Sequence, residues 1–291
     1  MEAFYIILTG SIIAISCGLL GSFLILRKMA MVGDAISHSV LPGIVIAFLI
    51  SGSRDSIAML IGAAALGVLT TLLIDLLHKK AGLQEDASIG VTFTWLFAMG
   101  VILISLFTNQ VDLDQECVLF GEIAYVPLDL LYSSSGMSLG PRAMWISASL
   151  LLVILAFIIF GFKGLYLSSF NIDYAKSLGI STVFWHFAFM SLVSLTTVVS
   201  FESVGAILVV ALLITPAAAA YLLTGKLKTM LFLASLFGVL SASGGYFLAS
   251  LLNGSIAGAM ATVAGIIFFI AFVISRFKGN NKPLPIAKKR I

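Results

Sequence analysis

The chain is 291 residues long, 60% hydrophobic and only 10% charged, with a formal net charge of +3. That composition excludes an ordinary soluble domain and predicts an all-α polytopic membrane protein with no nucleic-acid partner. Its two cysteines, Cys17 in an apolar run and Cys117 in a polar connection, have no spacing that suggests a disulfide framework or a metal cluster.

The first apolar run, about residues 4–26, is too long for a signal-peptide core and has no small-residue cleavage signature, so it is expected to be a retained transmembrane helix. Eight further runs follow at about 33–50, 56–77, 88–107, 143–162, 182–200, 204–223, 229–251 and 256–275, each close to the roughly 20 residues that cross the hydrocarbon. Nothing alternates like a barrel strand, and unpaired backbone is not tolerated in lipid, so every span is predicted to be helical. One short or interfacial segment would reduce nine spans to eight and move a terminus. With nine spans and the N-terminus outside, every Lys and Arg except Arg54 and Arg142 falls on the cytoplasmic side. That asymmetry is the one the positive-inside rule describes, and it places the C-terminus inside. Residues 1–276 are read as one transmembrane domain and 277–291 as a basic cytoplasmic tail.

Span two carries the most informative residues, Gly33-Asp34-Ala35-Ile36-Ser37-His38-Ser39-Val40-Leu41-Pro42-Gly43. Residues i and i+4 share a helix face, so Asp34 and His38 point the same way. An ionisable pair at membrane depth is costly and marks a functional site by default. With the span entering near Lys28, Asp34 lies about 9 Å deep and His38 about 15 Å. A carboxylate and an imidazole suit Mn(II), Fe(II) or Zn(II). Two ligands do not complete a coordination sphere, but a second copy or a paralogue packed across a two-fold axis would double them. The other reading is that the two side chains bond each other or a neighbouring helix and fix the bundle. Pro42 has no N–H for the His38 carbonyl and should kink the helix there. Discontinuous helices of that kind are where transporters build ion sites.

The external connection, about 109–142, carries Asp112, Asp114, Glu116, Glu122 and Asp129. It reads either as a negative mouth that gathers cations or as a merely solvated loop, and Val118-Leu119-Phe120-Gly121 is apolar enough to re-enter the bundle. In the cytoplasmic connection, residues 169–180 read as a short amphipathic helix, with a cap at Asn171 or Asp173 and a stop at Gly179. Phe170, Tyr174 and Leu178 form its apolar stripe, suited to the membrane interface or to a groove on a soluble partner. His78 reads as interfacial, His186 as a packed or interface histidine rather than a ligand, and Glu202, between spans six and seven, as a loop carboxylate with an outer gate as the alternative. Gly254-Ser255-Ile256-Ala257-Gly258 fits the GxxxG pattern of close helix packing. Gly225-Lys226 lacks the first glycine and the Ser/Thr of a phosphate-binding loop, since position 220 is Ala and 227 is Leu. ATP-driven transport would therefore need another chain.

The run from Arg27 to Gly43 resembles the signature of the manganese/zinc permeases of ATP-binding-cassette importers. The likeness continues in Glu85-Asp86-Ala87-Ser88-Ile89-Gly90, Asp112-Leu113-Asp114, Leu119-Phe120-Gly121-Glu122-Ile123, the Asp173-to-Gly179 stretch and the run from Val204 to Ala218. The resemblance implies a type II-like permease of eight to nine helices in a bacterial plasma or inner membrane. It also implies a dimer, two cytoplasmic ATPase subunits and an extracytoplasmic metal-binding protein. It makes Asp34 and His38 transient ligands of the transported metal, with Ser37, Pro42 and Gly43 at the pathway and its kink. The 169–180 segment matches the coupling helix, which docks on the ATPase through Phe170, Asp173, Tyr174, Ala175, Leu178 and Gly179. No cofactor is permanently bound. The transported ion is Mn(II) first, with Zn(II) or Fe(II) admissible, and the 114–123 run is closer to the manganese branch. The rival readings are a stand-alone, ion-gradient-driven metal transporter and an intramembrane metalloenzyme, which lacks a third strong intramembrane ligand.

Overall fold

The computed structural model describes residues 2–51, 56–107, 122–132 and 138–278. Arg54, Asp112, Asp114, Glu116, Cys117, the 118–121 segment and the tail from residue 279 lie outside them. The helices are α1 (Glu2–Leu26), α2 (Val32–Ser39), α3 (Leu41–Ser51), α4 (Ser56–Lys79), α5 (Glu85–Phe107), α6 (Arg142–Phe170), α7 (Ile172–Ser177), α8 (Thr182–Val204), α9 (Ala206–Leu223), α10 (Leu227–Leu252) and α11 (Ile256–Lys278). With α2 and α3 read as one span, nine helices among the described residues are long and apolar enough to cross a membrane. Long runs without charge form helices because only a helix satisfies its own backbone in lipid.

Between α5 and α6 the described residues include regular structure. A 3-10 turn (Ile123–Leu128) precedes a two-stranded antiparallel hairpin, β1 (Leu130–Tyr132) and β2 (Ser138–Pro141). Leu131 pairs with Gly140 and Tyr132 with Ser138, so Leu139 is the bulged residue. Strands this short give no readable alternation.

Local chemistry sets the helix ends. α1 stops in a Schellman turn: Lys28 takes φ +65°, its N–H bonds the Ile25 carbonyl at 3.0 Å, and the Met29 N–H bonds the Leu24 carbonyl at 2.9 Å. α7 is capped by Asn171, whose Oδ1 accepts from the Tyr174 N–H at 3.0 Å. It ends in a second Schellman turn at Gly179, φ +74°, where the Ile180 N–H bonds the Ala175 carbonyl at 3.0 Å. A single residue, Gly205 at φ +83°, separates α8 from α9. Glu202 is therefore not in a loop. It stands exposed in the last turn of α8.

The chain forms two compact units. In the first, α1 packs on α6, α9 and α10, and α11 packs on α9 and α10. Its core includes Ile13, Leu20, Phe23, Leu212, Met230 and Met260, none more than 1% exposed. A Cβ at Gly21 would run into the Leu213 backbone, so only glycine allows α1 to lie this close to α9. The second unit holds α2–α5 and the body of α8 from His186 to Glu202. There Gly43 of α3 and Gly62 of α4 face each other, and a Cβ on either would strike the other's carbonyl. The Gly254/Gly258 pattern makes no close helix contact among the described residues, which fits its reading as a chance recurrence. Gly254 lies between α10 and α11 with open space where a Cβ would be, and Gly258 meets only Ser255 of its own turn.

Candidate metal site

Span two is divided at Val40, which keeps helical angles (φ −73°, ψ −17°) while its N–H reaches the Ile36 carbonyl at 3.2 Å. Pro42 sits in the first turn of α3 and has no N–H for the His38 carbonyl. Helix α2 therefore carries the pair by itself, with Asp34 in its first turn and His38 in its last. That order matches the helix dipole, which favours a carboxylate at the N-terminus and an imidazolium at the C-terminus.

Asp34 Oδ1 and His38 Nε2 are 3.7 Å apart, and the two side chains keep 35% and 43% of their exposure. The pair is on one face, as the spacing requires, but open and not bonded tightly to itself. The His38 ring stands beside two aromatic rings of α5, with centroids 5.9 Å from Phe93 and 5.9 Å from Phe97, the latter edge-to-face. These rings restrict the imidazole to few orientations. Buried hydroxyls secure the helix itself. Ser37 donates to the Gly33 carbonyl at 2.9 Å, and Ser39 shares a 2.7 Å hydrogen bond with Thr70 of α4. Pro42 and Gly43 are buried; Pro42 packs beside Gly100 of α5 and Gly43 against α4.

A second carboxylate–imidazole pair occurs in the same unit. His186 Nε2 lies 3.1 Å from Asp75 Oδ2, and Lys79 Nζ lies 2.6 Å from the same oxygen. Asp75 and His186 side chains are 12% and 18% exposed. This contact ties α8 to α4, as does the Ser194 hydroxyl bonded to the Ala64 carbonyl at 3.3 Å. His186 is thus a packed histidine with a carboxylate partner. The signal for Asp75 lay in its i,i+4 spacing to Lys79; its partner on α8 had none. His78 bonds the Leu83 carbonyl through Nδ1 at 2.9 Å.

Among the described residues, no three His, Cys, Asp or Glu gather into a group able to hold a metal. Asp34 and His38 offer one oxygen and one nitrogen, a donor set that suits Mn(II), Fe(II) or Zn(II), and leave the remaining positions to groups outside this cluster. On α7, Ala175 is buried while Ile172, Tyr174 and Leu178 are 51%, 53% and 48% exposed. Asp173 is exposed beside them, and Phe170 is half-buried at the end of α6, its ring 4.7 Å from that of Tyr166.

Residues 3–275 match the model of the family described as the ABC 3 transport family. The manganese transport system membrane protein MntD of Bacillus subtilis is 52% identical over 275 residues, 94% of this chain and 92% of that protein. The zinc transport system membrane protein TroD of Treponema pallidum is 42% identical over 270 residues, 93% of this chain and 73% of that protein. Among solved structures, PsaBC from Streptococcus pneumoniae in complex with Fab superposes with a TM-score of 0.74 at 34% identity, covering 92% of this chain and 90% of that one. With its whole helical body matched, this chain belongs to the ABC 3 transport family.

Proposed function

We propose that the chain is the permease subunit of an ATP-binding-cassette importer for a divalent transition metal, Mn(II) first and Zn(II) or Fe(II) as alternatives. The observation that carries this is the open Asp34/His38 pair on a broken transmembrane helix, in a chain of this family. The relatives named for manganese and zinc transport support the choice of metal.

In this reading the ion sheds part of its water at Asp34 and His38 and is held only briefly, because a transport site must release as well as bind. A second permease copy or a paralogue supplies the remaining ligands by symmetry. An extracytoplasmic metal-binding protein delivers the ion. ATP is hydrolysed in separate partner chains, which dock on α7 through the exposed Ile172, Tyr174 and Leu178. The N-terminus is outside and the C-terminus cytoplasmic.

The test is to purify the intact protein from membranes and to measure metal accumulation in a strain lacking its own importers. A co-purifying ATPase, together with restored accumulation of Mn(II), is the expected result. Retained uptake with no ATPase in repeated preparations would favour a gradient-driven transporter instead.

A further inference from the structure

The cytoplasmic end of α1 holds a side chain that the account above does not use. Arg27 donates from Nε to Ser169 Oγ at 3.0 Å and from Nη2 to Ser168 Oγ at 3.0 Å. Both serines stand in the last turn of α6, and each also donates its own hydrogen to the Leu165 carbonyl, at 3.1 Å from Ser168 and 2.7 Å from Ser169. The chemistry is complementary. A guanidinium has only donors, and a serine hydroxyl whose hydrogen is committed to a carbonyl has only lone pairs left to offer. The planar fork spans two adjacent hydroxyls, which a lysine ammonium would not reproduce. Burial lowers the Arg27 pKa to about 10, so the group stays charged at neutral pH in a site where a charge is costly.

The position in the chain gives this contact its meaning. Ser168 and Ser169 come just before Asn171, which ends α6 and caps α7. Arg27 comes just before the Schellman turn at Lys28, after which the chain enters α2 with Asp34 and His38. We infer that Arg27 is a positioning residue that links the docking helix α7 to the metal-bearing helix α2, by clamping together the two chain segments from which those helices start. A push on α7 reaches the last turn of α6 through one shared residue, crosses to Arg27 through two hydrogen bonds, and meets a turn held by the Met29 and Lys28 N–H bonds. Only residues 29–31 separate that turn from the first residue of α2. The inference rests on the proposed docking role of α7.

The experiment reconstitutes the permease with its co-purifying ATPase and measures three quantities: ATPase retained on the permease, ATP hydrolysed, and Mn(II) transported per ATP. Arg27→Gln is expected to keep the ATPase bound and hydrolysing, while Mn(II) transported per ATP falls about tenfold, within the usual range of coupling between sites. The double variant Ser168→Ala/Ser169→Ala should reproduce this, and Arg27→Lys should fall between it and the parent. The double variant leaves the charge in place, so it decides the matter if Arg27→Gln inserts poorly. An unchanged transport-to-ATP ratio in the serine variant, with ATPase bound, overturns the inference and leaves the proposed function standing. Failure of the parent protein to retain any ATPase overturns both.

Discussion

The second unit holds two carboxylate–imidazole pairs built from the same residue types, and they stand in opposite surroundings. Asp75 and His186 are mostly buried, 3.1 Å apart, and an ammonium sits on the same carboxylate oxygen. Asp34 and His38 are 3.7 Å apart and more than a third exposed. In the first pair the oxygen facing the imidazole is already committed to two cationic or donor groups, and an arriving metal would have to displace Lys79. In the second pair the oxygen and nitrogen are positioned by their helix and by the Phe93 and Phe97 rings but are not consumed by a partner. A buried pair between two helices joins them, whereas an open pair on one helix can accept a cation and let it go. Residue type alone does not separate the two roles; the third group does.

Substitutions on the two pairs should therefore diverge. Asp34→Ala and His38→Ala are each expected to lower Mn(II) uptake by at least about 100-fold, judged against the 10–100-fold loss seen when mere supporting groups of metal sites are removed. The amount of inserted protein, measured by membrane immunoblot, should not change. Asp75→Ala should do the reverse. It strands His186 and costs about 3–5 kcal/mol of stability, visible as a lower melting temperature in detergent, while uptake per folded molecule stays near the parent's. A smaller effect is expected at the ring beside the His38 imidazole. Phe97→Leu removes an edge-to-face contact of about 0.5–1.5 kcal/mol and should raise the Mn(II) concentration for half-maximal uptake a few-fold without lowering melting temperature as Asp75→Ala does. Lys79→Ala should be the mildest, within about 0.5 kcal/mol, because that side chain is 62% exposed. If Lys79→Ala also opened Asp75 and His186 to Mn(II), the distinction between buried and open pairs would be drawn most sharply.

Much of this was legible from the chain itself, for a physical reason. Lipid forces each span to be a self-bonded helix, so hydropathy alone locates α4, α5 and α10 closely, while α6 runs on to Phe170, past the expected end near 162, and the i,i+4 rule puts Asp34 and His38 on one face. Asn171 and Gly179 were readable as cap and stop because both act within a few residues of themselves. What was hidden depended on contacts between distant segments or on a single backbone angle. The Asp75 partner lies on α8, far along the chain, and no periodicity points to it. Glu202 was expected in a loop because the polar Ser200-to-Ser203 stretch lowers the hydropathy. The helix in fact runs on to Val204, since Gly205 alone makes the break. The GxxxG pattern at Gly254 and Gly258 does not mark where helices pack closely; that happens at Gly21, Gly43 and Gly62, where the neighbouring backbone decides.

If the chain carries Mn(II) as proposed, the ion touches Asp34 and His38 and not Asp75 and His186. Nitrogen hyperfine coupling to Mn(II), measured by pulsed electron paramagnetic resonance on the purified complex loaded with Mn(II), tests this most directly. The account predicts an imidazole nitrogen coupling that disappears in His38→Ala and persists in His186→Ala. A coupling that survives His38→Ala and disappears in His186→Ala would contradict it.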